Sequence, residues 1–140
     1  MRRIPFVAAV AALLLALPTL HGHDQSKDDK PEPKKVSELM RKKLENAQKV
    51  LEGITLNDFK MIERHADELI QISKAVEWRV IKTPQYEIHS NEFRRVADSL
   101  AQAGKDKNTD GAALAYVELT LTCVKCHKYV REVRWASAEE

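Results

Sequence analysis

The chain has 140 residues, with 23 Lys or Arg against 21 Asp or Glu and two cysteines. That length makes one domain around a single modest core. A formal net charge of +2 lacks the basic excess of nucleic-acid-binding domains, so composition argues against that class of partner.

Met1-Arg2-Arg3 followed by the apolar run Ile4 to Leu17 has the charged start and hydrophobic middle of a secretory signal peptide, with cleavage expected after Gly22. The run is short of the about 20 apolar residues that span a bilayer, and no cysteine near the cleavage point offers a lipid anchor. The expectation is a periplasmic or otherwise exported protein with no stable membrane span once residues 1–22 are removed. Removing them takes away Arg2 and Arg3 and no acid, which leaves 21 basic against 21 acidic residues. Residues 23–35 are charged, contain Pro31 and Pro33 and show no apolar period, so they read as a flexible leader.

From Val36 apolar residues recur at three and four, the period of a helix. The first helix carries Val36, Leu39, Met40, Leu44, Ala47, Val50 and Leu51, with Gly53 as its stop. Thr55 and Asp58 form a capping-box-like pair that opens a second helix with the stripe Phe59, Ile62, Ala66, Leu69, Ile70, Ser73 and Val76, running out near Trp78. Arg79 to His89, with Pro84 inside, reads as the longest connection. Ser90 caps a third helix (Phe93, Val96, Ala97, Leu100, Ala101) that Gly104 ends. After the turn Lys105 to Asn108, Thr109 or Asp110 caps a fourth helix presenting Ala113, Tyr116, Leu119, Thr120, Cys123, Cys126, His127 and Val130. No period-two strand is evident, so the expected fold is all-α, an antiparallel up-down-up-down four-helix bundle over residues 36–140.

Both cysteines fall in Cys123-Val124-Lys125-Cys126-His127. In an exported chain this spacing is the attachment signature of one covalent haem c: two thiols bond the porphyrin and His127 binds iron from the proximal side. Zinc would need a second ligand cluster that the sequence lacks. A thioredoxin-type pair would need a βαβ pattern, and a plain disulfide leaves His127 without a role. On a helix the three residues stand at i, i+3 and i+4 and share one face. In an antiparallel bundle the end of helix four lies beside the start of helix one, which brings Met40 and His127 to similar heights at roughly 1.5 Å rise per residue.

A four-helix bundle with one such motif near its C-terminus resembles the class II c-type cytochromes, the cytochrome c prime family, over about residues 36 to 134. Arg131 matches the arginine that follows the family's histidine by four positions. The aromatic expected at Val130 is displaced to Tyr129, and Val36 stands where the family often has an arginine. In the family's low-spin members a methionine at the place of Met40 ligates iron. The resemblance thus implies a His127/Met40-ligated one-electron carrier, not an enzyme, that meets redox partner proteins, with Arg131 as a partner for a haem propionate. Family members often dimerise through their first two helices, so a homodimer is a further implication. The alternative is a five-coordinate protein that binds nitric oxide or carbon monoxide, with Met40 only packing. His65 and His89 are rival ligands, His89 folding over the haem edge from the long connection, whereas Met61 lies off its helix's stripe. Lys125, Lys128 and Arg134 read as a solvated or partner-steering face, and Trp78, Trp135, Tyr86 and Tyr116 as packing.

Overall fold

The apolar stripes fold into four α-helices in a computed structural model that describes residues 32–75 and 78–136. They are α1 (Pro33–Leu56), α2 (Phe59–Ile72), α3 (Pro84–Lys105) and α4 (Thr109–Ala136). There is no strand among the described residues, as an antiparallel four-helix bundle requires. The expected signal peptide and residues 23–31 of the expected leader lie outside the described residues. The leader's last residues belong instead to α1, because Pro33 occupies its first turn, where a missing N–H costs nothing.

The helix ends differ from expectation in a consistent way. α1 runs past Gly53 to Leu56 and closes on Asn57 in the left-handed region at φ 56°. Asp58 N–H donates to Gly53 O (2.8 Å) and Asn57 N–H to Ile54 O (3.3 Å), the Schellman pattern. α3 repeats it: Lys107 sits at φ 54°, Asn108 N–H donates to Ala103 O (2.9 Å) and Lys107 N–H to Gly104 O (3.2 Å). In each turn the next residue caps the next helix. Asp58 accepts from Met61 N–H (3.0 Å) and Asn108 from Gly111 N–H (2.9 Å). Thr55, Thr109 and Asp110 are therefore not the caps; Thr55 lies inside α1 and bonds back to Glu52 O.

Gly53 and Gly104 are both buried and serve close helix approach rather than termination. A Cβ on Gly104 would lie 2.9 Å from Glu63 N and 3.0 Å from Phe59 O, on the α2 backbone. Gly104→Ala should therefore push α3 off α2 and cost about 1–3 kcal/mol, read as a lower urea midpoint at unchanged m.

α3 begins at Pro84, not Ser90. Thr83 Oγ1 accepts from Tyr86 N–H (3.2 Å), and Pro84 takes the first turn. Most of the expected long connection is thus helix, and Ser90 is buried within it. The core comprises Val50, Ile62, Ala66, Leu69, Trp78, Phe93, Val96, Ala97, Leu100, Ala112 and Leu119, among others. Leu44 and Leu51 are exposed instead of facing it, as are Ala113 and Thr120; the inner faces of α1 and α4 are rotated from those the periodicity suggested.

α1 packs on α2, α2 on α3 and α3 on α4, whereas α1 and α4 meet only sparsely. α2 has 14 residues against 24 in α1, 22 in α3 and 28 in α4. Counted back from the α1–α2 turn, α2 runs out at about the height of Lys43. Beyond that point the start of α1 and the end of α4 are met by Trp78 and Val80 from the α2–α3 connection. This short helix is why the bundle has a cleft at one end.

Candidate functional site

The cleft has a volume of about 220 Å³. α1 contributes Val36, Met40 and Lys43, the connection Trp78 and Val80, α3 Tyr86, and α4 Cys126, His127, Val130, Arg131 and Arg134. Met40 and His127, expected at similar heights on α1 and α4, are thus brought to one cavity. Cys123 is half-buried one turn before His127 and packs against the core, and neither cysteine is in a disulfide. Arg131 joins the set as expected; Arg134, read as a solvated residue, also lines the wall.

Trp78 anchors the inner wall. It is 3% exposed, its indole N–H donates to Ser90 Oγ (2.8 Å) and its ring lies 5.1 Å from that of Phe93. Tyr86 donates its hydroxyl to Trp78 O, and burial pushes that phenol up to about 12, so it stays a neutral donor. Thr83 Oγ1 and Tyr129 Oη bond at 2.6 Å and tie the connection to α4. Tyr86 lies in α3 rather than in the expected connection, and Pro84, suited to a first helical turn, is the sequence signal for that helix.

Lys43 is the least expected group in the cleft. It is 7% exposed, and its Nζ lies 4.6 Å from the Trp78 ring centroid and 4.2 Å from that of Phe93. Ion pairs among the described residues involve other side chains, all of them exposed or half-exposed. A buried ammonium held by two aromatic faces lacks the acid that would ordinarily accompany it. Burial lowers its pKa, partly opposed by the Cys123 and Cys126 sulfurs. The register 36-40-43-47-50 could have revealed it, since Lys43 continues the Val36, Met40 stripe.

The same environment acts on the motif. Burial raises the Cys126 thiol against the pull of Lys43, so it is protonated at neutral pH. Burial, then Lys43 and Arg131, lower His127, which keeps its imidazole neutral and a nitrogen lone pair free. The rival ligands lie elsewhere. His65 on α2 shares hydrogen bonds with Asn46 Oδ1 (2.8 Å) and the Arg64 guanidinium (3.0 Å). His89 sits within α3 rather than in a loop over the cleft, its ring 5.5 Å from Tyr129 and its Nδ1 buried without a partner. Met61 is half-buried on α2 and does not line the cleft. Among the described residues no three His, Cys, Asp or Glu side chains converge; the cleft gathers one imidazole, one thiol and one thioether.

Trp78 and Tyr86 also line a wider groove of about 720 Å³ with Lys74, Arg79, Lys82, Arg94 and Glu87. It holds none of the sulfur or imidazole groups. Among the described residues no helix is long and apolar enough to cross a membrane. No family model, curated protein or solved structure matches the chain.

Proposed function

We propose that the chain is an exported haem protein of the class II cytochrome c type. Within that class we assign it to the carriers of single electrons, with iron between His127 and Met40 and no enzymatic role. The observation that supports this most is the meeting of Met40 from α1 and His127 from α4 on one apolar-walled cleft, directly beside Cys126.

The residues suit a haem c. Two unpaired thiols and an imidazole share a helical face, a thioether lies across the cleft, and Lys43, Arg131 and Arg134 supply cations for the two propionates. At about 220 Å³ the cleft is smaller than the ~300–1,000 Å³ of typical ligand pockets. To admit a haem, the sparse α1–α4 seam would have to widen, which would leave the three closely packed interfaces in place. A bound haem c would supply the one-electron chemistry. The chain's own groups do the rest. Cys123 and Cys126 would tether the group, neutral His127 and Met40 would hold its iron, and Val36, Val80 and Val130 would keep water from it. A thioether ligand and an apolar wall both disfavour the extra charge of ferric iron and so raise the potential. Arg131, exposed beside the motif, would steer an acidic redox partner.

Visible spectra of the purified holoprotein, oxidised and reduced, with and without carbon monoxide, test the proposal. Sharp reduced bands, the weak far-red band of an iron–thioether bond and no response to carbon monoxide are expected. A high-spin spectrum that shifts with carbon monoxide would move the chain to the gas-binding alternative. Absence of covalent haem would remove the whole reading.

A further inference from the structure

α4 is apolar on two opposite faces. One carries Ala112, Ala115 and Leu119 into the core. The other exposes Leu114, Val117, Leu121 and Val124, at 74%, 59%, 53% and 58%. Singly exposed apolar residues are ordinary, but a contiguous row is a contact surface. Including the exposed Asp110 and Lys128, the row advances 110, 114, 117, 121, 124, 128. That is the alternating four-and-three spacing of a coiled-coil seam, about 27 Å long.

We propose that this seam pairs with the same seam of a second copy, the two α4 helices running antiparallel across a two-fold axis. The positions are symmetric about Leu119, so antiparallel pairing sets Leu114 of one copy against Val124 of the other and Val117 against Leu121. It also sets Asp110 of each copy against Lys128 of the other. Parallel pairing would oppose Asp110 to Asp110 and Lys128 to Lys128, so charge selects the antiparallel form. Neither end residue is in an ion pair within its own chain among the described residues. On the flank, Glu118 is already paired with Arg95 and Lys125 with Glu92, and this neutralises charge beside the seam. Isologous two-fold contacts are the commonest closed assembly of identical chains. Four apolar side chains per copy lie at the small end of specific interfaces, which makes the dimer reversible. The dimer does not rest on the haem assignment, because none of the seam residues lines the cleft.

Sedimentation velocity of the full chain over the micromolar range tests it. A reversible monomer–dimer equilibrium is expected. Leu121→Glu, on the exposed face and so without effect on helicity, should weaken the dimer roughly a hundredfold, since each substitution enters the interface twice. Lys128→Asp alone and Asp110→Lys alone should each weaken it by opposing like charges; the two together should restore it. A monomer at every concentration overturns the proposal, as does a monomer that sediments with lipid vesicles through this face. A dimer indifferent to Leu121→Glu, or charge reversals that fail to compensate, overturns it equally.

Discussion

Under the proposed ligation, a Met40→Leu protein is expected to carry a high-spin haem that binds carbon monoxide, where the parent should be low-spin and unresponsive. Met40 is half-buried on the α1 wall of the cleft, with His127 on the α4 wall. Leucine matches its volume but offers no sulfur lone pair, so the change removes the proposed ligand while leaving the wall filled. A volume-conserving swap of this kind costs below about 1.5 kcal/mol of stability, and the apoprotein should unfold near the parent's urea midpoint. That separates loss of ligation from loss of fold. The reduction potential should fall by some part of the ~0.8 V over which axial ligands move haem potentials. An unchanged spectrum would make Met40 a packing residue and defeat the electron-carrier assignment. The same spectrum after His127→Ala, by contrast, is incompatible with any haem reading, because the proximal ligand is common to all of them.

The helices were legible because their stripes hold the 3.6-residue period over many turns; their ends were not. A glycine near a helix end suggests a left-handed stop, yet the left-handed residues are Asn57 and Lys107. Gly53 and Gly104 lie a few residues earlier, where neighbouring backbones approach too closely for a Cβ. Pro84 suggested a loop, although a proline is equally at home in a first helical turn. The motif Cys123, Cys126 and His127 could be read because its geometry is local to one helix. Met40 required only the antiparallel topology and a count of residues. Trp78 could be read as packing, and the core holds it, but Lys43 escaped because it is buried by that ring from a connection, and periodicity says nothing about where a connection folds. The exposed row on α4 escaped for another reason. Leu114, Val117, Leu121 and Val124 interleave with a second apolar face, and with both faces apolar the pattern no longer identifies which one points inward.

Lys43→Met is expected to have opposite effects on the chain without and with haem. Without haem the ammonium is desolvated against Trp78 and Phe93, and the aromatic faces return only about 0.5–2 kcal/mol of its burial cost. Methionine fills the same space without a charge, so the haem-free variant should be more stable by about 1–3 kcal/mol at neutral pH. The pH dependence carries the same signature. The folded chain holds the Lys43 proton less tightly than the unfolded chain, whose usual value is 10.5. Between the lowered pKa and 10.5 the unfolded state binds the extra proton, so the Lys43 contribution to parent stability rises with pH across that window and its penalty is fully present below it, against the opposing contributions of Cys126, Tyr86 and Tyr116, whose burial makes the folded chain hold their protons more tightly. Lys43→Met should abolish that rise, which equilibrium urea unfolding at several alkaline pH values would read. Under the proposed haem assignment, a propionate that reached Lys43 would turn the same ammonium into half of a buried ion pair. Removing it then strands a carboxylate and should cost about 2–5 kcal/mol. If the variant is stabilised in both forms, Lys43 does not meet a haem carboxylate, and Arg131 or Arg134 must take that part.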